Sequence, residues 1–189
     1  MAGVKGNRRT KMTQKLLKES LLTLLQDKEI HKITVTDICK KADINRGTFY
    51  SYYEDPYALL QCIEDELSDK IVEYLSMGVD VENKLQVITK IFELARENKE
   101  LVKILVFQQS DNRILNRILS IITSDEINEY QANLLPLGET YITYVTRFAV
   151  NGAVGVIQAW LENNLKEPPE EIARIVTDIT VNIFKCKTP

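Results

Sequence analysis

The sequence holds a single histidine, His31, and a single tryptophan, Trp160. One histidine excludes a multi-histidine metal site, and no glycine-rich phosphate loop occurs among the seven glycines. His31 and Cys39 can be paired on paper as a catalytic dyad, but both lie in a small N-terminal unit with no evident cleft. Enzymatic chemistry is therefore not expected, and no cofactor is implied. The cysteines Cys39, Cys62 and Cys186 are odd in number, widely spaced and without a Cys-x-x-Cys pair, which points to structural thiols in a reducing compartment. Long apolar runs are missing too. The longest, Phe148 to Leu161, is interrupted by Asn151 and Gln158 and falls short of the ~20 residues that span a bilayer. The N-terminus carries charge with no apolar core behind it, so neither a secretory signal nor a membrane partner is read, and a cytoplasmic location is expected. Strand-type alternation, fixed-period repeats and low-complexity tracts are absent as well, leaving an all-α reading.

What is present is enough apolar material for a core, 44% of 189 residues, and an uneven distribution of charge. Residues 1–53 carry 11 Lys and Arg against 5 Asp and Glu, a net of +6; residues 54–189 carry 13 against 22, a net of −9. A basic N-terminal quarter on an acidic body points to an anionic partner for the N-terminus alone. Residues 1–9 read as a flexible basic arm with Lys5, Arg8 and Arg9, and residues 10–54 as a three-helix unit. The first helix, Thr10 to about Gln26, buries Leu17, Leu21, Leu24 and Leu25. Asp27 to Lys32 is a polar connector, with Ile30 and Ile33 tucked beneath the two short helices after it.

The stretch from Thr34 to Tyr53 carries the functional case. Thr34 caps a short helix with Asp37 three residues on, Ile38 and Ala42 face inward, Asp43 takes the turn, and Asn45 caps a second helix from Arg46. Phe49 and Tyr53 turn inward in that second helix. Its outer arc is left with Arg46, Gly47, Thr48, Tyr50, Ser51 and Tyr52. Asp55-Pro56 restarts the chain as a helix of about twenty residues through Leu60, Ile63, Leu67, Ile71 and Leu75, with no flexible linker. Residues 55–189 then form a helical body. Its segments are Val81–Asn98, Glu100–Gln109, Asp111–Ile122, Asp125–Asn133, a break at Leu134–Gly138, Glu139–Asn164, and a final helix opened by Pro168-Pro169. From Phe148 to Leu161 apolar residues occupy nearly all sides, which predicts burial all round. Small residues there admit a second backbone, and Ile172, Val176, Ile179 and Ile183 repeat along the last helix. A two-fold dimer interface is predicted at Phe148, Gly152, Val156, Ala159, Ile172, Val176, Ile179 and Ile183.

Thr34-Val-x-Asp-Ile38, Ala42, Gly47-Thr-Phe-Tyr50, Tyr52-Tyr53 and Ala58-Leu-Leu60 together resemble the DNA-binding signature of the tetracycline-repressor (TetR) family of bacterial regulators. The run from Gly152 to Leu161 is similar to the penultimate helix of many members. The resemblance implies an all-helical homodimer whose N-terminal helix-turn-helix reads a near-palindromic operator in double-stranded DNA and whose body binds a small-molecule inducer. Carried over by position, Arg46, Gly47, Thr48, Tyr50, Ser51 and Tyr52 are groove and backbone contacts, with Thr36, Lys5, Arg8 and Arg9 available to phosphates. Asp43 stands where many members have glycine, and Pro56 where many have a phosphate-contacting lysine. Phe92, Phe107, Tyr130, Tyr144, Phe148 and Trp160 are candidates to line an inducer cavity. A ligand-responsive repressor is the reading adopted, in which inducer shifts the helix at Pro56 and respaces the recognition helices. The alternatives are an activator or co-regulator of the same family, and a helical adaptor that binds no DNA.

Overall fold

The computed structural model describes residues 3–76, 84–107 and 138–185, with residues 116 and 119 between them. The side chains of Lys5 and Ile183, all of Tyr130, and almost all of the helical pieces expected at 111–122 and 125–133 lie outside that description. Two compact units divide the chain, Met1–Leu67 and Ser68–Pro189.

In the first unit α1 runs Gly3–Leu24. The segment read as a flexible arm before Thr10 is, from Gly3 on, continuous with that helix. Leu17, Leu21 and Leu25 form its buried stripe, and a 3-10 turn at Ile30–Lys32 delivers Ile33 into the core. α2 (Val35–Ala42) and α3 (Arg46–Tyr50) follow, then α4 (Pro56–Ser76), whose residues through Leu67 lie in this unit. The Asp55 carboxylate accepts from the Ala58 N–H at 2.8 Å, so the aspartate caps α4 while Pro56 occupies the first turn, where its missing N–H costs nothing. Leu59, Leu60, Ile63 and Leu67 are buried, and the Lys18–Glu66 ion pair ties α4 to α1. With these ties the first unit extends to Leu67.

The second unit contains α5 (Lys84–Glu97), α6 (Lys99–Phe107), α7 (Glu139–Glu162) and α8 (Pro169–Lys185). Its core gathers Phe92 from α5, Trp160 from α7, and Ile172, Ala173 and Val176 from α8, with Ile88, Ala153, Val156, Ile157 and Leu165 packed around them. The Phe92 and Trp160 rings meet edge-on at 5.8 Å, and the indole N–H donates to the Glu167 carbonyl at 3.0 Å. After α7 the chain reverses through Asn164 and Leu165, both left-handed with φ of 57° and 53°. A leucine in that conformation is costly, and here it is held by packing against the core.

Two expectations are corrected in this unit. α7 is not buried all round: Phe148 is 65% exposed and Tyr144 70%, and Gly152, Gly155 and Ala159 are exposed on the same helical stripe. Ile172 and Val176, expected on a dimer face, are buried in the chain's own core because they meet Phe92 and Trp160. The exposed apolar residues of α8 are Ile175 and Ile179 instead. The cavity candidates separate in the same way. Phe92 and Trp160 are core, whereas Phe107, Tyr144 and Phe148 are exposed. Among the described residues no helix is long and apolar enough to cross a membrane.

Candidate nucleic-acid interface

Local hydrogen bonds fix the α2–turn–α3 element. The Thr34 hydroxyl accepts from the Asp37 N–H at 3.1 Å, and the Asp37 carboxylate accepts from the Thr34 N–H at 3.0 Å and from its hydroxyl at 2.8 Å. This reciprocal cap satisfies backbone donors at the start of α2 and holds the Asp37 carboxyl below its ordinary value, the Thr34 N–H being the largest cause. α2 ends on Asp43, whose backbone is left-handed at φ 53°, ψ 46° and whose N–H donates to the Cys39 carbonyl. The Ile44 N–H reaches that same carbonyl at 3.0 Å, so the chain reverses within two residues. Asn45 then accepts from the Thr48 N–H at 2.7 Å and starts α3.

α3 is shorter than the sequence reading of a helix continuing through Tyr53. Ser51 and Tyr52 form a turn that still keeps helical bonds, Ser51 N–H to the Gly47 carbonyl at 3.2 Å and Tyr53 N–H to the Phe49 carbonyl at 3.0 Å. Phe49 is fully buried, and its ring contacts Tyr53 at 5.9 Å and the edge of Tyr50 at 5.7 Å. That wedge turns Phe49 and Tyr53 inward and leaves the intervening residues facing out. Burial pushes the Tyr53 phenol up, with Cys62 the next influence. Cys39 is buried beneath the turn and its thiol is likewise pushed up by desolvation, which makes it an inert packing group.

On the outer arc the Arg46 guanidinium donates to the Tyr50 hydroxyl at 3.4 Å and lies over its ring, 5.8 Å from the centroid. The hydrogen bond raises an already basic group further, so Arg46 is charged under all ordinary conditions. Tyr50 is 51% exposed and carries the arginine outward with it. The Ser51 hydroxyl is already engaged as a donor to the Thr48 carbonyl at 2.7 Å, so toward a partner Ser51 offers acceptor lone pairs rather than a free proton. At Gly47 an added Cβ would approach the Asn45 side chain at 3.4 Å, an ordinary contact, and the backbone needs no positive φ. The missing side chain at Gly47 therefore serves nothing inside the chain.

Beside this arc lies a concavity of about 550 Å³. α1 contributes Arg9, Thr10 and Thr13, the turn contributes Asp43, Ile44 and Asn45, and α3 with its following turn contributes Thr48, Ser51 and Tyr52. Of the residues singled out from sequence, Arg9, Thr48, Ser51 and Tyr52 converge there, while Arg46, Gly47 and Tyr50 stand on the exposed arc and are not part of its wall. Arg8 and Thr36 are exposed elsewhere on α1 and α2. Thr10, Thr13 and Asn45 are additions. The first two are three apart, the spacing that places side chains on one helix face, and that spacing was the available signal. A concave surface of hydroxyls with one guanidinium and one carboxylate among its described lining, beside a projecting helix start, offers donors suited to phosphate oxygens and base edges. Among the described residues no cluster of His, Cys, Asp and Glu fit to hold a metal occurs.

Comparison with known proteins agrees with this architecture. Residues 82–182 match the family described as the transcriptional regulator C-terminal region of the TetR group, more than half of the chain. The chain is 22% identical over 170 residues to the uncharacterized HTH-type transcriptional regulator YxbF of Bacillus subtilis, covering 86% of this chain and 43% of that protein. It spans less than half the length of the curated relatives it matches. Its fold is shared with the fatty acid degradation regulator FadR of Bacillus halodurans, with a TM-score of 0.68, 17% identity, and coverage of 89% of this chain and 94% of that one. It is shared too with the transcriptional regulator FadR of Bacillus subtilis in complex with stearoyl-CoA, at 0.67, 20%, 88% and 96%. With the matched region, the capped helix-turn-helix and an all-helical body in hand, the chain belongs to the TetR family of transcriptional regulators.

Proposed function

We propose that this chain is a sequence-specific DNA-binding regulator, acting as a homodimer on a near-palindromic operator and releasing it when a small molecule binds the second unit. The observation that carries the reading is the outer arc of α3. Arg46, Gly47, Thr48 and Tyr50 project from a doubly capped turn at the edge of a hydroxyl-lined concavity, and no contact inside the chain requires Gly47 to be glycine. Arg46 reads a guanine edge or holds a phosphate; Thr48 donates to base or backbone; Tyr50 and Tyr52 grip phosphates. Arg8, Arg9 and Lys5 supply sequence-independent attraction from the start of α1.

Dimerisation is supported by the uncovered apolar stripe of α7 from Tyr144 through Phe148, Gly152 and Gly155 to Ala159, and by Ile175 and Ile179 on α8. A Cβ built on Gly152 or Gly155 meets nothing within 4 Å, so this stripe is open to the approach of a second backbone. Two α7–α8 pairs closing face to face would bury all of it. The coupling to DNA runs through α4, which is one unbroken helix from Pro56 to Ser76 and so belongs to both units. For a ligand to release DNA it must bind one spacing of the recognition helices better than the other.

Selection of duplexes from a random library tests the DNA reading. A near-palindrome whose half-sites lie about 34–36 Å apart should be enriched, and enrichment of no sequence overturns it. For the ligand, stearoyl-CoA is the first probe, because a structural neighbour was solved with it. A ligand of the second unit should raise the melting temperature and lower operator affinity together; a stabilising ligand that leaves operator affinity intact would remove the coupling.

A further inference from the structure

Asp43 carries an acidic side chain into the surface that is proposed to meet DNA. Among the described residues lining the concavity it is the one anion, and Arg9 is the one cation. Its backbone is pinned by the N–H bonds of Asp43 and Ile44 to the Cys39 carbonyl, and its side chain is exposed, so the turn presents the carboxylate at the surface. The backbone conformation alone does not account for an aspartate. Glycine adopts φ 53° at no cost and asparagine tolerates it as well as aspartate does, so the charge is separable from the geometry.

We propose that Asp43 is a specificity-determining residue that works by repulsion. Its carboxylate offsets the charge of Arg9 in the concavity and disfavours any DNA whose phosphates are merely close by, while a matched operator brings compensating contacts at Arg46 and Thr48. Discrimination between two partners is a difference of affinities, and weakening the wrong complex raises it as surely as strengthening the right one. DNA makes this the effective lever, since unspecific binding is almost wholly phosphate electrostatics and competing sites vastly outnumber operators. The same carboxylate would keep a hydroxyl-rich surface from acting as a general phosphate cradle. Arg9, Thr10, Thr13 and Thr48 without Asp43 would offer one guanidinium and three hydroxyls to any backbone.

The inference rests on the DNA-binding reading, and the test separates the two. Wild-type protein, Asp43→Asn and Asp43→Gly are titrated by fluorescence anisotropy with a library-selected duplex and with a scrambled duplex of the same composition, across a range of salt. Removing one unit charge beside a phosphate should tighten scrambled-duplex binding by about fivefold in high dielectric. The salt slope should steepen by up to about 0.9 as Arg9 becomes free to displace a counterion. Affinity for the selected duplex should change less, so the specificity ratio falls in both variants. Circular dichroism checks that both remain helical, and agreement between Asn and Gly excludes a backbone effect. Scrambled-duplex affinity that stays level overturns the proposal. So does a loss confined to the selected duplex, which would mean that Asp43 accepts a hydrogen bond from a base. If folded wild-type protein binds neither duplex, the DNA reading itself has failed and this inference goes with it.

Discussion

Gly47 is exposed and an added Cβ would make only an ordinary contact with Asn45, which separates its place in the fold from the role proposed for it in binding. Replacing it with alanine puts a better helix former into α3 and a Cβ in ordinary contact with Asn45. Gly47→Ala should therefore hold or raise stability, by up to about 1 kcal/mol on helix propensity, while weakening operator binding several-fold; equal affinity in anisotropy would show that DNA does not approach there. Asp43 divides the other way. A β-branched residue cannot take its left-handed backbone, so Asp43→Val should cost about 1–2 kcal/mol in urea unfolding, and a smaller loss would mean the turn relaxes. Thr34→Ala removes the cap of α2 and should cost about 1 kcal/mol. The Asp37 carboxyl adds a pH dependence of definite sign. Its folded pKa lies below the ordinary 3.8, so its contribution is complete above that value and is lost as pH falls through the lower folded one. The group is exposed, so the effect is a small, salt-screened one, visible as selective loss of the α2 cap in an NMR acid titration.

At the scale of elements, what the sequence discloses depends on how far a bond reaches. The caps at Thr34, Asn45 and Asp55 and the turn at Asp43 bond within about one turn of helix, and each is legible in residue types. Faces of helices are another matter. On α8 the series Ile172, Val176, Ile179 and the pair Ile175, Ile179 both fit helical spacing, and only Phe92 and Trp160, distant in the chain, decide that Ile172 and Val176 go inward. The same holds on α7, where Trp160 is buried and Phe148 is not. The concavity was half visible for this reason. Thr48, Ser51 and Tyr52 announce themselves beside Arg46, but Thr10 and Thr13 become part of the surface only when α1 packs against α2. Ile172→Ala should thus behave as a core deletion and cost about 2–5 kcal/mol, followed through the fluorescence of Trp160 nearby. Ile179→Ala should cost little in the monomer, and a core-sized loss there would reverse the assignment of faces.

For the whole molecule the charge division and the uncovered stripe describe one working arrangement. In the proposed function the basic N-terminal quarter meets DNA, and the acidic body, which would be repelled by it, carries apolar faces that would join two copies. If α7 is the seam, Phe148→Glu should convert a dimer to a monomer in sedimentation while leaving the helical signal intact; a dimer that survives would move the interface elsewhere. The monomer should also lose operator affinity, because two half-sites are held together only by the dimer. The claim on which the rest depends is that α3 reads sequence. Its most direct test is the ratio of affinities for a selected duplex and its scrambled counterpart at physiological salt, measured for wild type and for Arg46→Ala. The account predicts a wild-type ratio of about a thousand or more, reduced by about ten- to a hundredfold when Arg46 is removed. Equal affinity for the two duplexes, or a ratio unmoved by Arg46→Ala, would contradict it.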